Sequence, residues 1–253
     1  MKKPEVKLID YTGAGAEDPA RHAANVLVFT KQTRLEMKPS LMEEIAAWPW
    51  ERIQEELTYM ANTIPSSWEF VEYKFLINNV TRGFTHQFVR TRTGAYAQQT
   101  MRVLNVNGWD YGTGPTVAED PSRQAVYDVA MEEIARDYDK LIKMGAKIED
   151  ARGILPTNIH TNIVAKFDLR ALADVARKRA SSRTQGEYRD VLDLMIGEVL
   201  RVHPWASLFF ARTFDTAAAN LEALIKALPF DDGVGGKVKT DMIKLIDQMR
   251  TTA

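Results

Sequence analysis

The sequence predicts a single α+β domain with a helical C-terminal third. Three observations carry this. Short stretches of alternating or β-branched residues are interspersed with helical patterns, amphipathic helices dominate the second half, and nothing between them resembles a long interdomain linker. The 253 residues, 45% hydrophobic and 26% charged, are those of an ordinary globular protein.

Taken in order, VKLIDY (6–11) alternates and reads as a strand. A helix follows, with Asp18 as N-cap and Pro19 at its first position. SLMEEIAAW and ERIQEELTYMAN read as helices, and the aromatic, β-branched WEFVEYKFLINNV (68–80) as a strand. TRGFTHQFVRTR (81–92) reads as a helix with Phe84, Phe88 and Val89 on one face, and TMRVLNVN (100–107) as a strand. NGWDYGTGPTVAEDPS is loop-like. From Arg123 to Met144 an apolar face, which includes Val126, Val129 and Tyr138, recurs at helical spacing. ILPTNIHTNIVAKF gives a loop and strand, and Asp168 caps the helix of DLRALADVARKRASS. GEYRDVLDLMIGEVLRVH is a helix that stops before Pro204, and further helix runs to the end, broken by LPFDDGVGGK.

Composition narrows the function. There is no cysteine, so disulfides, thiolate metal sites and cysteine nucleophiles are excluded. His22, His86, His160 and His203 are scattered without zinc spacing, so no metal is expected. A net charge of −1 argues against a nucleic-acid polymer as partner. No apolar run is long enough for a membrane span, and the N-terminus lacks the apolar core of a signal peptide, so a cytoplasmic location is expected.

Against that neutral background the basic clusters stand out. FVRTRTGAYAQQTMRV (88–103) holds Arg90, Arg92 and Arg102, no acidic residue, and the small residues Gly94, Ala95 and Ala97, which permit close approach of a ligand. Arginine binds phosphate through paired planar hydrogen bonds and keeps its charge. A second cluster, DLRALADVARKRASSRTQGEYR, puts Arg170, Asp174 and Arg177 on one helix face, with Arg179 pointing elsewhere. Arg152 precedes an apolar run and Pro156. Spacing alone suits a solvated, ion-paired surface equally well. There is no GxGxxG, P-loop or GxSxG motif, so a phosphate ligand would need separated arginines to converge on it.

These segments together resemble the flavin-dependent thymidylate synthases. That family carries Arg-His-Arg, seven intervening residues, Ser, one residue and Arg; here the frame reads Arg90-Thr91-Arg92, then Thr100 and Arg102. VTRGFTHQFVR resembles the lead-in helix, with Gln87 at its Gln. VKLIDYTG, ARGILPTNIHTNIVAKFDLRAL and RASSRTQGEYR resemble the first strand, the Ala-Arg-x-x-Leu-Pro segment and the Arg-Ala stretch, in the family's order. The resemblance spans about residues 6–204 and leaves 205–253 as a helical extension.

The resemblance implies a central, mostly antiparallel sheet flanked by helices. It also implies a homotetramer with sites between subunits, FAD as cofactor, and a pyrimidine deoxynucleoside monophosphate as substrate. The family methylates dUMP at C5 with methylenetetrahydrofolate and NADPH as co-substrates, and without an enzyme cysteine. Carried over by position, Arg90, Thr91, Arg92, Gln98, Asp168, Arg170 and Asp174 fall on the cofactor side. Gln87, Gln98, Gln99, Thr100, Arg102, Arg152 and Arg179 fall on the substrate side, with Arg179 and Thr100 as the catalytic pair. An arginine at the ring favours negative charge developing on the pyrimidine oxygens.

The sequence also departs from the family. Thr91 replaces the central His, Thr100 the Ser, and Ala97-Gln98 an Asn-Glu or similar pair; of the upstream His-rich segment only Glu69 survives. Asp168 and Asp174 stand where many members have Asn, leaving pure acceptors that suit an amino group, as on cytosine. Three readings therefore stand: dUMP methylation; hydroxymethylation of dUMP or dCMP for modified nucleotides, in host cytoplasm if virus-encoded; and a flavin- and nucleotide-binding protein without catalysis.

Overall fold

In a computed structural model the described residues are 2–32, 38–102, 110–179, 186–210, 221–229 and 233–252. They group into two compact units, each assembled from three stretches of sequence.

The first unit comprises Met1–Tyr11, Tyr73–Phe167 and Gly186–Glu198. Its frame is a four-stranded sheet of β1 (Glu5–Tyr11), β2 (Glu72–Thr81), β3 (Ala95–Gln98) and β4 (His160–Asp168), in the order β1-β2-β4-β3. Both outer pairs are antiparallel: Val6 lies opposite Ile77, and Tyr96 opposite Ala165. Side chains alternate across a strand, and here Tyr73, Phe75 and Ile77 of β2 and Ile163, Ala165 and Phe167 of β4 are buried. In β2 this alternation ends at Asn79, whose φ of 57° puts a non-glycine residue in the left-handed region. Helix α4 (Arg82–Phe88) follows β2 directly, and the first residues of α9 (Gly186–Val202) bring Tyr188 onto it. Between β3 and β4 come α5 (Pro115–Ala118), α6 (Pro121–Lys143) and α7 (Ile148–Ala151).

The second unit comprises Thr12–Glu72, Asp168–Gln185 and Val199–Ala253. Helix α1 (Pro19–Gln32) packs on α2 (Leu41–Ala46) and α3 (Trp50–Thr63) through Leu27, Val28, Ile45, Ile53 and Leu57, all fully buried. Helix α8 (Leu169–Arg179) packs on α10 (Ser207–Phe210) and on the 3₁₀ turn Pro65–Phe70. The unit ends in a helical hairpin of α11 (221–226) and α12 (Gly233–Thr252).

Most expected elements form, including the Asp18 cap, which accepts from the Arg21 amide at 2.9 Å. Five expectations need correction. The strand expected from Trp68 starts at Glu72, because Pro65 opens a 3₁₀ turn in which the Trp68 indole donates to the Met60 carbonyl at 3.0 Å. Ala95–Gln98, expected only as a small-residue helix exit, is strand β3. Its alanines carry weak strand propensity, and pairing with β4 supplies what they lack. Of the strand expected at 100–107, Thr100–Arg102 are irregular and 103–107 lie outside the described residues. The apolar face of α6 is incomplete, since Tyr138 is buried but Val126 and Val129 are exposed. The GVGGK segment, expected to break the last helix, opens it at Gly233.

Candidate functional site

The site begins at the start of α4. The Thr81 hydroxyl accepts from the Phe84 amide at 3.0 Å, which is an N-cap. The Glu187 carboxylate in turn accepts from the Thr81 amide at 2.7 Å and from its hydroxyl at 2.6 Å. Phe84 and Phe88 stack at 5.0 Å and bury their rings against Tyr188. Phe88 also meets Tyr96 and Phe167. This aromatic cluster leaves Gln87 exposed at the surface.

A tight turn ends α4. The amides of Arg90, Thr91 and Gly94 donate to the carbonyls of Gln87, Phe88 and Thr91. The Tyr96 hydroxyl donates toward the Thr91 carbonyl at 2.7 Å, and burial raises its pKa. Gly94 is small for a reason the sequence did not reveal. A Cβ there would come within 2.8 Å of the Phe167 ring, so its lack of a side chain serves packing. Arg90 and Arg92 project from this turn into solvent, without a carboxylate partner among the described residues. Two exposed guanidinium groups two residues apart, on a turn fixed by buried rings, fit a pyrophosphate.

Strand β3 carries the next group. The Gln98 amide nitrogen donates to the Thr85 hydroxyl at 2.9 Å, tying β3 to α4. The Gln99 amide donates to the Asn162 carbonyl at 2.9 Å, and the Asn162 side-chain nitrogen donates to the Gln99 side-chain oxygen at 3.0 Å. The Asn162 side-chain oxygen accepts from the amide of Asn79, the left-handed residue. The Thr100 hydroxyl accepts from the Arg102 amide at 3.1 Å.

Two arginines then meet at Glu149, one on its carboxylate and one on its backbone carbonyl, and a third lies near the second. Arg102 Nε pairs with Glu149 Oε2 at 2.9 Å, and Arg152 Nε donates to the Glu149 backbone carbonyl at 3.1 Å. Arg82, at the start of α4, lies near enough to Arg152 for the two charges to repel. Partial burial, and then Arg152, lower the Arg82 pKa. Its Nη1 is buried and has no hydrogen-bond partner among the described residues. A buried charged donor left unpaired is costly, and an incoming anion relieves both the orphan donor and the repulsion. Sequence reading brought Arg102 and Arg152 to this place but passed over Arg82. The signal was there: a cation in the first turn of a helix opposes the macrodipole.

In the second unit, Asp168 caps α8 by accepting from the Ala171 amide at 2.7 Å. Burial raises the Asp168 pKa against that hydrogen bond, and the charges of Glu69 and Glu72 push the same way. Arg170 pairs with Glu69 at 2.6 Å, and so leaves the expected grouping with Asp174 and Arg177. Arg177 pairs with Asp174 at 3.1 Å, donates to the Phe209 carbonyl and lies over the Trp68 ring. Arg179 is half-buried at the end of α8.

A mixed sheet-and-helix protein with arginines on exposed turns and helix ends, some without a carboxylate partner among the described residues, has the donors that phosphorylated small molecules need. The family described as Thymidylate synthase complementing protein matches residues 7–205, and the chain belongs to that family. A Clostridium tetani protein called flavin-dependent thymidylate synthase is 28% identical over 221 residues, covering 79% of this chain and 84% of the relative. One of the same name from Sulfurisphaera tokodaii is 30% identical over 202 residues, covering 79% and 74%. One from Nitratidesulfovibrio vulgaris is 33% identical over 144 residues, covering 54% and 59%.

Proposed function

We propose that this protein methylates dUMP at C5, with carbon from methylenetetrahydrofolate and reducing power from NADPH. The relatives' names support the reaction class. The observation that carries it is a run of arginines with too little negative charge: Arg102 pairs with the Glu149 carboxylate, Arg152 reaches only the Glu149 backbone carbonyl, and Arg82 beside Arg152 has an unpartnered Nη1 among the described residues. A phosphate monoester dianion fits that excess of guanidinium donors, and Arg82 joins the substrate set on this ground. Gln87, Gln98, Gln99 and Thr100 supply neutral hydrogen-bonding groups on the same unit. FAD, when bound, relays reducing equivalents from NADPH. Arg90 and Arg92 would hold its pyrophosphate, and the family's pattern adds Thr91, Asp168, Arg170 and Asp174 to the residues that would hold the cofactor. Arg179 is assigned to the pyrimidine ring, where a fixed guanidinium lowers the energy of charge building on the ring oxygens. The working form is a homotetramer in the cytoplasm.

A second reading, hydroxymethylation or use of dCMP, is favoured by Thr91 and by the two aspartates. Asp168 accepts from the Ala171 amide through one oxygen, so an amino group would need the other. The test is product mass from dUMP and, separately, from dCMP, with FAD, methylenetetrahydrofolate and NADPH. A methyl gain on dUMP is expected. A hydroxymethyl gain, or turnover of dCMP alone, would replace the first reading by the second, and bound flavin without turnover would leave a binding protein.

A further inference from the structure

We propose that Thr85 is a positioning residue for the nucleotide: it turns Gln98 so that this side chain offers the substrate an acceptor only. The proposal rests on the nucleotide reading above and adds to it the residue that sets the polarity of one contact. A glutamine amide ends in an oxygen that accepts and a nitrogen that donates, and rotation about one bond exchanges the two. Which end meets a ligand is therefore decided by whatever holds the other. Side chains alternate along a strand, and Tyr96 and Gln98 both lie on the face of β3 that meets α4. There Gln98 finds Thr85, which is fully buried, while Gln98 itself is half-buried.

Two contacts in series fix the orientation. The Arg82 backbone carbonyl can only accept, and it takes the Thr85 hydroxyl proton at 3.0 Å. A hydroxyl has one proton, so Thr85 Oγ1 keeps only lone pairs for Gln98. Gln98 Nε2 donates to it at 2.9 Å, and Gln98 Oε1 is the end left over, accepting from no group among the described residues. The frame is fixed on both sides, since α4 is capped through Thr81 and Gln98 lies opposite Ile163 in the β3–β4 pair. The series begins at the backbone of Arg82, the cation with the unpartnered Nη1. One turn of helix thus presents a charge for the phosphate and sets the polarity of a neutral contact. A fixed acceptor calls for a neutral donor on the ligand, an N–H or O–H. dUMP carries two, the ring N3–H and the 3′-hydroxyl.

The test is calorimetric titration of the full-length, FAD-loaded protein with dUMP. Thr85→Val keeps the shape of the side chain and removes the hydroxyl, and should weaken dUMP about three- to tenfold, the size of one neutral hydrogen bond. Thr85→Ser keeps the hydroxyl and should bind as the wild type does. Thr85→Val added to Gln98→Leu should cost nothing beyond Gln98→Leu alone, because both act on one contact. The loss should also vanish with one of two analogues: N3-methyl-dUMP if the ring N–H is the donor, the 3′-deoxy analogue of dUMP if the sugar hydroxyl is. Unchanged affinity in Thr85→Val, equal weakening with and without Gln98→Leu, no rescue by serine, or a loss that persists with both analogues would each overturn the proposal. If Thr85→Val does not fold, Gln98→Leu carries the test: it must weaken dUMP by the same factor and bind one analogue as the wild type does, and failure of either overturns the proposal. A wild type that binds no dUMP would refute the nucleotide reading itself and take the proposal with it.

Discussion

Arg82→Met separates a functional arginine from a structural one, because the two roles predict opposite signs. In the free protein Arg82 is a liability: a half-buried guanidinium with an orphan Nη1, repelled by Arg152. An unsatisfied buried donor costs about 1–3 kcal/mol, and partial exposure of this group puts it near the lower end. Methionine keeps the aliphatic volume and removes the charge, so the ligand-free protein should gain about 1 kcal/mol of stability. Binding should move the other way. A hydrogen bond to a charged group contributes about 1.5–3 kcal/mol, so dUMP should bind roughly 10- to 150-fold more weakly. Urea denaturation of the free protein gives the first quantity, and calorimetric titration with dUMP the second. A variant that is less stable and binds dUMP as well as before would refute the reasoning, since Arg82 would then be a satisfied structural cation.

Glu149→Gln should tighten dUMP binding about two- to fivefold, because the exposed Arg102–Glu149 pair competes by only a few tenths to 1 kcal/mol; calorimetric titration reads this, and the difference should shrink at high salt. Burial holds the fully buried His203 down to about 4, below the roughly 6.5 of an unfolded histidine. Its stabilisation is therefore complete above about pH 6.5 and drains away as pH falls toward 4, by about 3 kcal/mol, and chemical denaturation across that range should show His203→Gln with a flatter profile. Gly94→Ala should cost about 1–3 kcal/mol by forcing a methyl against Phe167, measured as a lowered denaturation midpoint.

Much of the fold is written locally, and those parts were legible. Asp18-Pro19 and Asp168 announce their helices with a cap, and the alternation of β4 announces its strand. What escaped was set by distant partners. Ala95–Gln98 becomes a strand because β4 lies beside it, and Gly94 is required by Phe167, a residue 73 positions away. The candidate site divides in the same way. Arg90, Arg92, Arg102 and Arg152 were visible as motif arginines. That Arg102 and Arg152 meet on Glu149 was not, because charge runs look alike whether solvated or convergent. Arg82 came to light only through its buried, unpaired nitrogen.

The double hold of Glu187 on Thr81 spans 106 positions. During synthesis every arginine of the anion site, from Arg82 to Arg152, is joined to the chain before Glu187. A nascent chain of that length has the cations but no lock on the helix that begins with Arg82. Contacts so distant in sequence form late, since the intervening loop must close first. Nucleotide affinity should therefore switch on with the arrival of α9, and a ligand present during refolding would act on the last step of assembly and leave the early ones unchanged.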